Sequence, residues 1–351
     1  MKTFWNVTKK ITLLLVVLSG TFFLACSPEE TQVEEKTGEG IERPIATDTP
    51  KDPKEDTPET PDVGPVERHQ FVKFDFTHDL TGRKIPISYF EPDTLKDSSE
   101  KYPLVLALHG AEYFVSPDSM FLKAQERTAY MALAWMEKKN QEKYPAFVVA
   151  PNIHDGLWHD GDERYFGWSK KSSSDFVEKL LDSILTNNTR IDAKRIYLVG
   201  HSMGGIGTWY LGAKFKEKFA ALVPLSSAFS TGDGIYSFVD SRIRSDDFND
   251  LPVWGFIHRV DANSKRDEDG TRGLIKTMEE VGYAPVYTHR KDTIDHYLNR
   301  EEIFAKIDDG KKYFYTEYSY PCQSVGDCHF AQEFALREDF LLHWLFKQRK
   351  Q

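Results

Sequence analysis

From position 69 onward the apolar and polar residues fall into two rhythms. Residues 71–76, FVKFDF, alternate between the two classes, which predicts a half-exposed strand. Residues 84–90, KIPISYF, predict a second strand, and Pro86 suggests a sheet edge. Five later runs are continuously apolar: YPLVLALHG, YPAFVVAPN, RIYLVGHS, FAALVPLSS and LPVWGFIHR. Such runs fit strands covered on both faces of a parallel sheet. Helical periodicity lies between them at 125–139, 175–185, 203–215 and 271–281, and a last helical stretch spans 332–347. Strands alternating with helices predict a layered α/β domain: a mostly parallel central sheet, helices on both faces, right-handed crossovers.

Three stretches break the alternation, at 111–123, 154–170 and 227–250. Each follows a strand end, where ligands gather in open α/β sheets. A fourth, 288–312, separates the strand-like pieces APVYTHR and KYFYTEY and reads as an inserted helix and turn.

Composition changes the picture mainly at the N-terminus. Lys2, Lys9 and Lys10 precede an apolar stretch from Ile11 to Ala25. That stretch is shorter than the about 20 residues a membrane-spanning helix needs, so residues 1–26 read as an export signal. Its ending, LAC at Cys26, resembles a bacterial lipobox, which implies that Cys26 is lipidated and becomes the new N-terminus. Residues 27–66 hold 7 of the 17 prolines, 12 acidic and 4 basic residues, and no aromatic one. This segment cannot bury enough apolar surface to order itself. It is expected to be a tether spanning roughly 35 Å. Residues 67–351 form the remaining domain, expected to be a monomer held to the membrane only through the anchor. The formal charge of −10 speaks against nucleic-acid binding, which favours basic patches.

Two cysteines remain, Cys322 and Cys328. In an exported protein they are expected to form a disulfide, a local clamp contributing about 2 kcal/mol by chain entropy. A zinc site is set aside, because His329 is the only nearby histidine and there is no second ligand pair.

The candidate chemistry centres on GHSMG at 200–204, a G-x-S-x-G placed between a predicted strand and a predicted helix. In such an elbow Ser202 projects its hydroxyl above the sheet, and the N–H of Met203 faces an incoming carbonyl oxygen. A second oxyanion donor is expected from the loop after an earlier strand, where LALHGAEYF offers the N–H of Gly110 or Ala111. His109 precedes the serine, the wrong order for its base, and reads as a loop-shaping residue. Asp261, just beyond LPVWGFIHR, is the candidate acid, with Asp267 and Asp269 as rivals. His289, His296, His329 and His343 follow it; His329 is favoured because it directly precedes the last helix. The order Ser202, Asp261, His329 is that of an α/β-hydrolase.

At this point a resemblance becomes specific. RIYLVGHSMGGIGTWYLGAKFKEKFAALVPLSS resembles the nucleophile region of secreted carboxylesterases related to feruloyl esterases, polyhydroxybutyrate depolymerases and the catalytic domain of prolyl oligopeptidase-type peptidases. PLVLALHG, PVWGFIHRVD and the segment from YTEYSYP to the C-terminus resemble that group's oxyanion strand, acid strand and base segment. The resemblance covers roughly residues 85–351. It implies acyl transfer through a covalent acyl-enzyme, with no metal and no cofactor. The implied partner is an ester substrate, possibly polymeric, such as an acylated extracellular carbohydrate or a polyester. A peptidase is the alternative, although the chain before Tyr102 is too short for a propeller domain. Tyr113, Phe114, Trp158, Phe166 and Trp168 are candidates to line a sugar or aryl pocket.

Overall fold

A computed structural model describes residues 72–77, 84–93, 99–111, 130–153, 167–227, 245–258, 286–289, 298–318, 329 and 331–351. All lie within Thr57–Gln351, the second of two units into which the chain divides. The expected export signal and most of the tether belong to the first unit, and both lie outside the described residues.

The strands are β1 (Val72–Thr77), β2 (Lys84–Phe90), β3 (Tyr102–Leu108), β4 (Phe147–Pro151), β5 (Ile191–His201), β6 (Ala221–Leu225), β7 (Val253–His258), β8 (Val286–His289) and β9 (Tyr313–Tyr318). Among the described residues they form one sheet in the order β1-β2-β4-β3-β5-β6-β7-β9-β8. Every pairing from β4 to β8 along that order is parallel, and only β2 runs against its neighbours. The helices are α1 (Tyr130–Leu133), α2 (Lys138–Lys143), α3 (Lys171–Asn187), α4 (Met203–Lys214), α5 (Arg300–Asp308), α6 (Gln332–Ala335) and α7 (Asp339–Lys347).

The apolar runs have the expected cause. All seven residues of β3 are buried. Leu104, Leu106 and Leu108 pack on one face with Phe176 and Leu180 of α3 and Trp209 and Leu211 of α4. Val105 and Ala107 belong to the opposite face, with Trp344 and Leu345 of α7. A strand with helices on both sides has no solvent face, so nothing in its sequence needs to alternate. On the second face Trp254 stacks on Phe314 at 4.4 Å between ring centres and on Phe340 at 5.3 Å, tying β7 and β9 to α7.

Several sequence expectations need correction. β2 is not an edge, because it lies between β1 and β4. Pro86 is tolerated because the β2–β4 ladder begins one residue later, at Ile87 opposite Pro151. The expected helix at 125–139 is broken within its described part. Glu137 is extended, with ψ 133°, between a 3-10 turn at Ala134–Met136 and α2. The amides of Asn140 and Gln141 donate to the carbonyls of Ala134 and Trp135, at 2.6 and 2.7 Å, which compensates for the interrupted helix ladder. The last helix is likewise two helices, α6 and α7, separated at 336–338. The expected helix at 271–281 lies outside the described residues. The stretch 288–312 does contain a helix, α5, opened by an Asn299–Glu302 capping box. It joins β8 to β9, and β8 is the last strand of the sheet, so the insertion widens the sheet at its far edge.

Candidate active site

β5 ends at His201 and α4 begins at Met203, so Ser202 alone makes the turn. Its φ is 54° and its ψ −117°, a conformation that costs a non-glycine residue on the order of 1–3 kcal/mol. The neighbours hold it there. The Ser202 N–H donates to the Leu225 carbonyl of β6 at 2.9 Å, and its carbonyl accepts from Ile206 N–H at 2.9 Å. The flanking glycines are required by close approach. A Cβ at Gly200 would lie 2.1 Å from the Gly204 carbonyl oxygen, and one at Gly204 would lie 2.2 Å from the Leu108 carbonyl oxygen. Ser226, one residue beyond β6, is also at positive φ, 46°, and its N–H donates to Phe256 at 2.8 Å. Two strained serines thus stand at the carboxyl ends of adjacent strands, where strain is most often functional.

His329 comes from the segment before α6. Its Nε2 is 2.8 Å from Ser202 Oγ, a hydrogen bond between residues 127 positions apart. This is the reach that proton transfer between a hydroxyl and an imidazole needs. The alternative His343 lies on α7, bonded to Asp308 at 3.0 Å and to the Tyr144 hydroxyl at 3.3 Å. His289 lies on β8, and His296 lies outside the described residues.

The two segments expected to carry the oxyanion donors are in backbone contact. Gly204, in the first turn of α4, leaves no space for a side chain against the Leu108 and His109 carbonyls at the end of β3. Gly110 and Ala111 follow directly. Met203 is the first residue of α4, so its N–H has no acceptor within the helix. His109 is 1% exposed, and its Nδ1–H donates to the Gly110 carbonyl at 2.8 Å. Its own carbonyl accepts from Trp168 Nε1 at 2.9 Å, and the two rings meet edge to face at 5.1 Å. His109 shapes this loop, as expected. Trp168 is fully buried and braces the same loop, so it is a packing residue rather than an open pocket wall. Tyr113, Phe114, Trp158 and Phe166 lie outside the described residues, as do Asp261, Asp267, Asp269, Cys26, Cys322 and Cys328.

One neighbour of the site was not anticipated. His201 is 1% exposed, and its Nε2 is 2.8 Å from the main-chain oxygen of His329. The available signal was a histidine closing an otherwise apolar strand, where a buried polar ring needs a partner.

Comparisons with known proteins agree with this fold. The Esterase family model matches residues 79–272, more than half of the chain. Poly(3-hydroxyalkanoate) depolymerase C of Paucimonas lemoignei is 26% identical over 131 residues, 35% of this chain and 27% of that protein. The bifunctional acetylxylan esterase/xylanase XynS20E of Neocallimastix patriciarum is 25% identical over 228 residues, 64% of this chain and 28% of that protein. The aligned stretches therefore span little more than a quarter of either relative. Among solved structures, a thermostable esterase is 26% identical with a TM-score of 0.58, covering 80% of this chain and 64% of the other. A ferulic acid esterase at 14% identity shares the fold alone, with a TM-score of 0.50 over 78% of this chain and 98% of the other. With a mostly parallel sheet, a strained serine between strand and helix, and a family match across most of that sheet, the chain belongs to the Esterase family of α/β-hydrolases.

Proposed function

We propose that the protein is a serine carboxylic-ester hydrolase acting on acyl esters of an extracellular polymer, a carbohydrate or a polyester. The observation that carries this reading is the 2.8 Å contact between His329 Nε2 and Ser202 Oγ at a strained elbow. His329 takes the Ser202 proton as Oγ attacks the ester carbonyl. The N–H groups of Met203 and of Ala111 or Gly110 receive the oxyanion. His329 then returns the proton to the departing alcohol, and water activated by the same imidazole releases the acid. Asp261 serves as the acid that orients His329 and stabilises its charged form. The polymer is suggested by the names of the two relatives, a polyhydroxyalkanoate depolymerase and an acetylxylan esterase.

Ser202→Ala tests the nucleophile. The variant should keep the wild-type melting temperature and lose hydrolysis of aryl acetates by on the order of 10³-fold or more. Turnover within tenfold of wild type would remove Ser202 from this role. The same assay run on acetylated xylan, feruloyl, polyhydroxyalkanoate and peptide substrates separates the substrate classes, and preferential peptide cleavage would favour the peptidase alternative.

We also propose export and lipid anchoring at Cys26. Cys26→Ala should move the protein from the membrane fraction to the soluble one. Unchanged partitioning would sink the anchor.

A further inference from the structure

We propose that His201 is a positioning residue for the base. This rests on the serine-hydrolase reading above and adds a residue to it. His201 ends β5 immediately before Ser202. Side chains alternate along a strand, so His201 points to the same face as Tyr197 and Val199. Ala331 and Ala335 of the base-bearing segment pack on that face. There the His201 Nε2–H donates to the His329 carbonyl oxygen at 2.8 Å, and the two rings lie 5.0 Å apart. Only an Nε2–H can donate to a carbonyl, and both the Nε2–H tautomer and the imidazolium carry one.

Two consecutive residues therefore hold opposite ends of one histidine. Ser202 Oγ meets its ring nitrogen and His201 meets its main chain. The bond at the ring nitrogen acts on the ring, and the bond from His201 ties the main chain of His329 to the end of β5 as well. The second bond fixes where the ring starts. Because both bonds originate from neighbouring residues of one rigid strand end, a movement of the elbow carries the base with it. The partners are 127 positions apart in the chain, so their register depends on direct contact. A misplacement of about 1 Å between reacting groups can cost on the order of 100-fold in rate.

The test compares His201→Leu, which keeps apolar bulk but has no donor, with His201→Gln, whose amide N–H reaches a similar distance. Ester hydrolysis and the rate of covalent labelling of Ser202 by a fluorophosphonate are measured, with melting temperature as the fold control. Ser202→Ala is run in parallel. His201→Leu should lower kcat and the labelling rate by roughly 10- to 100-fold with KM within about twofold, and His201→Gln should restore most of the loss. If His201→Leu does not fold, His201→Asn takes its place, since its shorter amide cannot span the gap. Equal kcat in wild type and the donor-less variant overturns the proposal, as does an equal loss in the Leu and Gln variants or an effect confined to KM. Persistent activity of Ser202→Ala would overturn the serine reading and this inference with it. An inactive Ser202→Ala beside an indifferent His201 would overturn this inference alone.

Discussion

Ser202 and His329 meet at 2.8 Å, but the molecule brings them there by different means. The serine is placed by main chain. It sits between β5 and α4, bonds to β6 through its N–H, and is flanked by glycines that touch carbonyl oxygens of α4 and β3. The histidine is reached by side chains from the elbow. It is met by the Ser202 hydroxyl and the His201 imidazole, and is followed by two short helices with a break between them. An elbow made of backbone contacts tolerates almost no change but needs only a few adjacent residues to specify it. A base held through side chains can come from anywhere in the chain.

The largest effect that would break this contrast is expected at Gly204. A methyl group there meets backbone on two sides, with Leu108 oxygen at 2.2 Å and His109 oxygen at 2.7 Å. Backbone cannot swing aside as a flexible side chain does, so Gly204→Ala should cost about 3 kcal/mol or more and most of the activity. Thermal unfolding and aryl-acetate turnover measure both. A variant that keeps its stability and rate would show that the elbow is not fixed by that approach.

The contrast also explains how much could be read from the chain. Gly200, Ser202 and Gly204 announce the elbow because the geometry requires small residues at fixed spacing. β3, β6, β7 and the second half of β5 were legible because burial on both faces leaves an uninterrupted apolar run. His329 was reachable only by order and elimination among four histidines, since nothing local marks a residue whose partner is 127 positions away. His201 went unread for a related reason: its neighbours in the pentapeptide explain the turn, and its carbonyl partner contributes no side-chain signal at all. Helical periodicity reads through 125–139 and 332–347, while Asn140 and Gln141 offer side-chain amides that let the backbone break at Glu137. The proline at 86 misled in the same way, because the end of a ladder tolerates it as well as the edge of a sheet does.

The smallest expected effect separates the two regions by pH. Glu338 precedes α7, nine residues after His329. Burial pushes its carboxyl up from 4.5 to about 7, and the neighbouring Asp339 adds to this, while Arg300 and the Tyr318 hydroxyl oppose it. A carboxyl held above its unfolded value favours the protonated form in the fold. The unfolded chain releases that proton near pH 4.5 and the folded one near 7, so stability falls across this window and stays lower above it. After allowing for partial solvent screening, the penalty at pH 8 is on the order of 2 kcal/mol. Glu338→Gln removes the ionisation. It should melt a few degrees above wild type at pH 8, with the gap closing at pH 4.5. The deficit of Gly204→Ala is steric, so its gap to wild type should be similar at both pH values. A Glu338→Gln gap that does not change with pH would mean that this carboxyl ionises freely in the fold. The terminal segment behind His329 would then resist changes in proton concentration as the elbow does, and the difference between the two regions would reduce to main-chain against side-chain contact.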